Sequence, residues 1–190
     1  MAKSKREQML RAAWSVIARR GVNGLRVEDV AEAVGATNSL VYYHFENRAG
    51  LLAATMEYNE ERAAGSVSPA TMRSRTGLDA VESMLLSDLA PKKRVRENSI
   101  VWNELTAAAV FDESLADRVA NSSRHWVAQV AAEISRGVLD GSVKKGVDAD
   151  HSALVLTALQ GGLISKWLIG AETRDRCRAA LKATVRDLLT

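Results

Sequence analysis

One cysteine, two prolines and three histidines among 190 residues exclude several chemistries at once. A lone Cys177 forms no internal disulfide and no multi-cysteine metal site. Its neighbours Arg176 and Arg178 would favour the thiolate, although without a resolving partner an ordinary helix residue is the plainer reading. His44, His125 and His151 are too scattered for metal-ligand spacing. A serine-histidine-aspartate set, a Gly-rich phosphate loop, an HExxH pair and paired carboxylates on one helix face are all missing. Nothing therefore marks an enzyme, and neither metal nor cofactor is expected. No apolar run approaches the roughly 18 residues of a bilayer-spanning helix, and the charged N-terminus has no secretory apolar stretch. The expectation is a cytoplasmic protein that engages no membrane.

Strand signals are missing too. No window alternates Val, Ile, Thr and aromatics at period two between turn residues. Hydrophobic residues make up 47% of the chain, enough for a core, and 12 glycines with two prolines interrupt it little. These features imply an all-α fold of about nine helices.

Helical periodicity places a first helix over about 3–20, with Met9, Ala12, Ala13, Val16 and Ile17 as its buried stripe and Gly21 as its stop. Two short helices follow, then a fourth over about 48–64 whose stripe runs from Leu51 to Asn59. Gly65 to Pro69 breaks the pattern. Five more helices are expected over about 72–90, 91–110, 112–139, 150–169 and 174–189, with Pro91 in a first turn and Asp112 as a cap.

What the chain does contain is concentrated between Val27 and Leu52. Val27, Val30, Ala31 and Val34 fall at helical spacing and make one apolar face. Gly35 follows where positive φ is needed to stop a helix. Thr37 can cap the next helix, which turns Val41 and Phe45 to the core. Its other side carries Asn38, Ser39, Tyr42 and Tyr43. A core-anchored second helix with an exposed polar face is the geometry that enters a DNA major groove. Charge agrees: residues 1–50 hold 8 Lys+Arg against 5 Asp+Glu, and the remaining 140 hold 18 of each, so the whole excess of +3 lies in this segment. A second basic run, Lys92, Lys93, Arg94 and Arg96, reads as a solvated turn.

Ala13, Gly21, Val30 and Ala31, Gly35, Val41 and Tyr42, His44 and Phe45, Arg48, and Leu51 and Leu52 share the joint spacing of a known motif. Over its first quarter the chain resembles the TetR family of bacterial transcriptional regulators. The stretch around Trp102, then Phe111 and Asp112 and the long helix through Trp126, looks like the C-terminal domain type of the choline-responsive betaine-pathway repressors. The resemblance implies a homodimer that sets its third helices into successive major grooves of a palindromic DNA operator, and a C-terminal pocket for a small-molecule inducer. It divides the chain into a DNA-binding domain, 1–48, and a ligand-binding and dimerisation domain, 49–190. Carried over by position, Tyr42, His44 and Arg48 would touch phosphate, while Asn38, Ser39, Leu40 and Tyr43 would face base edges behind the Thr37 cap. His44 would serve equally as a local cap, and Arg48 as a solvated arginine.

Departures from the family pattern are local. Arg26 stands where a capping Ser or Thr is common, and could reach phosphate against the opposition of Glu28 and Asp29. Ser39 replaces a glycine, Asn38 a cation and Ala49 an acid. A recognition helix with fewer cations implies weaker non-specific binding.

Met84, Trp102, Phe111, Trp126, Gln129, Gln160 and Trp167 are the candidates to line the inducer pocket. Aromatics on adjacent helices leave concave apolar space and amides orient a ligand, although each residue suits plain core as well. Indole faces also accept cations. The helix over 150–169 is apolar nearly all round, as a helix buried in a core or against another subunit would be. Gly161 and Gly162 inside it cost about 1 kcal/mol each, which close approach of a second helix would offset. Leu156, Leu159, Leu163 and Trp167 are accordingly the expected dimer contacts. The function read from these features is a ligand-controlled DNA-binding repressor. A helical-pocket enzyme and a ligand-independent DNA-binding adaptor are the alternatives.

Overall fold

The computed structural model describes residues 4–64 and 74–190, with the backbone alone over 59–64. The expected helix starts at Lys3 and Met72, the break from Gly65 to Pro69 and the side chain of Asn59 lie outside the described residues. Among those described the chain is all-helical. Its elements are α1 (Lys5–Arg20), α2 (Val27–Ala33), α3 (Asn38–Phe45), α4 (Arg48–Ala64), α5 (Gly77–Ser87), α6 (Lys93–Ala109), α7 (Glu113–Asp140), α8 (Ala149–Leu168) and α9 (Arg174–Leu189). No helix among them is long and apolar enough to cross a membrane.

They form two compact units, one of residues 1–65 with 100–120 and the other of 66–99 with 121–190. The first unit thus runs past Arg48, the expected domain boundary. α4 packs on α1, and α6 and α7 each contribute residues to both units. A boundary drawn along the sequence does not register such a return of the chain.

In the first unit the α1 stripe of Met9, Leu10, Ala13, Val16 and Ile17 is buried. It meets Val27, Val30 and Ala31 of α2, Val41 and Phe45 of α3, and Leu51, Leu52 and Met56 of α4. Full burial of each large aliphatic side chain contributes about 1.5–3 kcal/mol. Local capping sets the ends. Ser4 Oγ accepts the Glu7 N–H at 3.1 Å, Thr37 Oγ1 that of Leu40 at 3.3 Å, and Asn47 Oδ1 that of Gly50 at 2.9 Å. Gly35 sits at φ +60°, the left-handed turn between α2 and α3 that a side chain would resist.

In the second unit Val81, Leu85 and Leu89 pack with Val130 and Ile134 of α7, Leu156 of α8 and Leu181 and Val185 of α9. α5 begins later and ends earlier than periodicity suggests. Thr76 Oγ1 caps it by accepting the Asp79 N–H at 3.2 Å, while Asp140 at the end of α7 and Ser142 just after it accept the N–H groups of Gly77 and Leu78 at 2.7 and 3.1 Å. Hydrogen bonds from Ser142, its side chain first, and from the Gly77 N–H hold the Asp140 carboxyl below the ordinary carboxylate range. Gly77 is required by contact: a Cβ there would lie 2.2 Å from the Gly137 backbone nitrogen. Pro91 stands ahead of α6 rather than within its first turn, because the Lys92 carbonyl already accepts the first helical bonds from Val95 and Arg96.

Candidate nucleic-acid interface and polar cluster of the helical body

α3 is anchored through Val41 and Phe45, both buried, with Leu40 half-buried against the same core. Helical geometry then turns Asn38, Ser39, Tyr42 and Tyr43 outward. Asn38 and Ser39 are exposed, Tyr42 is 45% and Tyr43 81% exposed. The His44 ring lies edge-on to Tyr43 at 5.4 Å and tilted to Phe45 at 6.0 Å, which fixes the end of this surface. The Arg6 guanidinium lies over the Phe45 ring at 5.4 Å, and Lys5 Nζ donates to the Val34 carbonyl at 2.6 Å. Both N-terminal cations are thereby held against the helix-turn-helix.

Arg26 is exposed at the start of α2 and makes no side-chain cap bond. Asp29, which the sequence sets against it, is instead paired with Arg20 at 3.1 Å. Arg48 departs further from expectation. Its Nε donates to the Leu25 carbonyl at 3.0 Å and its Nη2 to the Val22 carbonyl. The fork geometry of a guanidinium suits two carbonyls in one turn, so Arg48 ties α4 to the α1–α2 connection. Two of its five donor directions are thereby taken by backbone, which leaves the expected phosphate contact to its remaining N–H groups. From the other side Glu104 of α6 accepts the Val22 N–H at 2.9 Å. The backbone N–H and C=O of Val22 are both held by side chains, and sequence reading passed over Glu104, one of two acids in an ordinary helix.

The expected pocket residues separate. Trp102 packs on the first core, and Phe111 is 92% exposed at the α6–α7 turn, so neither burial nor enclosure supports Phe111 as a lining residue. Gln129 is exposed and pairs with His125 at 3.0 Å. Met84 belongs to the second core. Gln160 and Trp126 do meet. Gln160 is 4% exposed, its Oε1 accepts the Trp126 indole N–H at 3.1 Å, and its Nε2 donates to the Leu85 carbonyl at 2.8 Å and to Asp88 Oδ2 at 3.2 Å. A buried amide satisfied on both ends is a rigid element.

Asp88, missed from the sequence, completes this cluster. Its residue as a whole keeps contact with water, while the surrounding protein desolvates the carboxyl and pushes its pKa up to about 6. The available signal was an acid at a helix C-terminus, where the dipole disfavours it.

α8 faces differently from expectation. Leu156 is 0% exposed and Leu159, Leu163 and Trp167 are half-buried on the second core, whereas Leu154 is 58% exposed and Val155, Ala158, Gly161 and Gly162 share its outer side. A Cβ on either glycine would meet nothing within 4 Å, so no helix among the described residues explains them. Cys177 is buried with its thiol donating to the Leu163 carbonyl at 3.3 Å, and burial pushes its pKa up, the opposite of what the flanking arginines suggested. Among the described residues no group of His, Cys, Asp and Glu is arranged to hold a metal.

Residues 9–55 match the bacterial regulatory proteins of the tetR family, and residues 78–190 match the BetI-type transcriptional repressor C-terminal domain. The HTH-type transcriptional regulator TtgR of Pseudomonas putida is 26% identical over 182 residues, covering 92% of this chain and 85% of its own. A putative TetR-family regulator from Rhodococcus sp. is 34% identical with a TM-score of 0.87, over 97% and 98% of the two chains. A putative transcriptional regulator from Saccharomonospora viridis, solved in complex with choline, is 24% identical with a TM-score of 0.88, over 97% and 96%.

Proposed function

We infer the mode of action from one premise: the chain belongs to the tetR family of bacterial regulatory proteins and carries a BetI-type repressor C-terminal domain. It is a ligand-responsive DNA-binding repressor and not an enzyme. Our proposal concerns how it reads DNA, pairs with itself and senses its ligand, and places that work in the cytoplasm with the chromosome.

The observation that carries the reading is the outer face of α3, polar and unpacked beside a helix end fixed in the core. Tyr42 and His44 take phosphate positions, and Asn38, Ser39, Leu40 and Tyr43 reach base edges, with Thr37 and Arg26 at the flanks. Phosphate contacts position the helix and base contacts specify sequence. Two copies pair through the outer stripe of α8, Leu154, Val155, Ala158 and the two glycines, so that their α3 helices meet half-sites about 34–36 Å apart.

The inducer is a small organic cation held by the Asp88 carboxylate and the Trp126 indole face, with Gln160 fixing both groups in place. The support is chemical: a carboxyl whose ionised form lacks solvation gains most from a cation, and an indole face attracts one too. The choline complex of the Saccharomonospora viridis protein fits that chemistry. Such a ligand releases DNA only if it binds the non-reading conformation better.

The test is fluorescence anisotropy with DNA flanking the chain's own gene. Tyr42→Phe and Tyr42→Ala should weaken binding across sequences, while Asn38→Ala and Tyr43→Ala should change base preference. Unchanged affinity and preference in all four variants overturns the α3 assignment. Choline should lower the affinity of the wild type and leave Asp88→Ala unaffected. Equal release in both removes Asp88 from the ligand site.

A further inference from the structure

We propose a second small-molecule site, for aromatic carboxylates, in the groove where the start of α6 meets the α8–α9 connection. The groove has a volume of about 370 Å³ and is lined by Ala90, Pro91, Lys92, Lys93, Arg96, Trp167, Thr173, Arg174 and Asp175. Its floor is apolar, made by Pro91 and the half-buried Trp167 indole. Its rim carries four cations and one acid, and the acid is taken: Asp175 Oδ1 accepts from Nε and Nη2 of Arg174 at 2.9 and 2.6 Å.

Lys93 is 3.7 Å from Glu97, a distant pair across one helical turn. Lys92 and Arg96 are exposed and have no acidic partner among the described residues. Their position is costly. Lys92, Lys93 and Arg94 crowd the start of α6, whose first turn contains no acid, and the helix dipole there is already positive. A solvated turn would relieve that repulsion by pointing the cations apart. Here Lys92 and Lys93, with Arg96, instead line an open groove beside an indole. An anion between Lys92 and Arg96 removes the repulsion, and a flat apolar body attached to it covers Trp167 and Pro91. The basic run is thereby assigned a ligand class opposite in charge to the one proposed for Asp88.

Benzoate, benzyl alcohol and inorganic phosphate serve as probes, titrated calorimetrically into the full chain at low salt. Benzoate should bind the wild type and lose at least tenfold in affinity in Lys92→Gln/Arg96→Gln, whose exposed positions keep the fold and whose melting temperature should not fall, since repulsion at the helix start is relieved. Trp167→Phe should keep most of the affinity and Trp167→Ala lose it. Benzyl alcohol and phosphate should each bind at least tenfold more weakly than benzoate. No benzoate binding at millimolar concentration, equal binding to the double variant, or phosphate binding as tightly as benzoate overturns the proposal. DNA affinity that falls in the double variant without any benzoate binding to the wild type overturns it as well, and assigns the run to a polyanion. Choline binding tests the Asp88 cluster separately, so the two sites fail independently.

Discussion

Replacing Arg48 by Met separates a structural role from a DNA contact. In the structure its guanidinium donates to the carbonyls of Val22 and Leu25, joining α4 to the turn that precedes α2. Hydrogen bonds from a charged donor contribute about 1.5–3 kcal/mol each when well shielded. Arg48 is an exposed residue and water can replace part of each bond, so the loss of both should cost about 2–3 kcal/mol rather than the full sum. For a chain of this size that corresponds to a fall in melting temperature of roughly 4–12 °C. Arg48→Lys keeps the charge but not the fork, and should fall between wild type and Arg48→Met. Differential scanning calorimetry without DNA reads this directly. A residue whose work is a phosphate contact behaves in the opposite way: the free protein melts unchanged, and the salt slope of DNA binding falls by about one. That pair of results would refute the reasoning.

Asp88→Asn should flatten the pH dependence of stability. The folded pKa of about 6 exceeds the ordinary 3.8, so the folded chain holds the extra proton between these values. Stability therefore falls as pH rises through that window in the wild type and should not in the variant, as urea titrations at several pH values will show. Leu154→Glu should yield a monomer in sedimentation at micromolar concentration with little loss of fold, whereas Leu156→Ala should cost about 2–5 kcal/mol whatever the oligomeric state. A persistent dimer in Leu154→Glu would remove the outer face of α8 from the interface. Gly77→Ala places a methyl 2.2 Å from the Gly137 nitrogen and should destabilise by about 1–3 kcal/mol or more in urea. Gly161→Ala, with open space around it, should leave the isolated fold unharmed.

The fold class, the helix order and the α2–Gly35–α3 frame were legible in the sequence, because each depends on neighbours three and four residues apart. Val27, Val30 and Ala31, the Thr37 cap and the outward Tyr42 and Tyr43 are all consequences of that local periodicity. So was the family, since its signature lies within one continuous segment. α8 shows where the local signal ends. A helix apolar on every side offers no contrast, and Leu154 and Leu156, two residues and about 200° apart, look alike until packing buries one of them.

Long-range partners were beyond the sequence for the same reason. Arg48 reads as a cation at a helix start, and only the approach of the Val22 and Leu25 carbonyls, more than twenty residues away, makes it a staple. Asp88 reads as a solvated turn acid until α8 brings Gln160 against it and the surrounding protein raises its pKa. The tryptophans looked like one aromatic wall, yet Trp102 packs in the first unit and Trp126 meets Gln160 in the second, while Trp167 floors a groove of its own. Local spacing determined which helices this chain forms and which face of α3 it shows. Tertiary packing alone decided which charges lose their water and which apolar face stays uncovered, because desolvation and contact depend on distances in space that no sequence interval encodes.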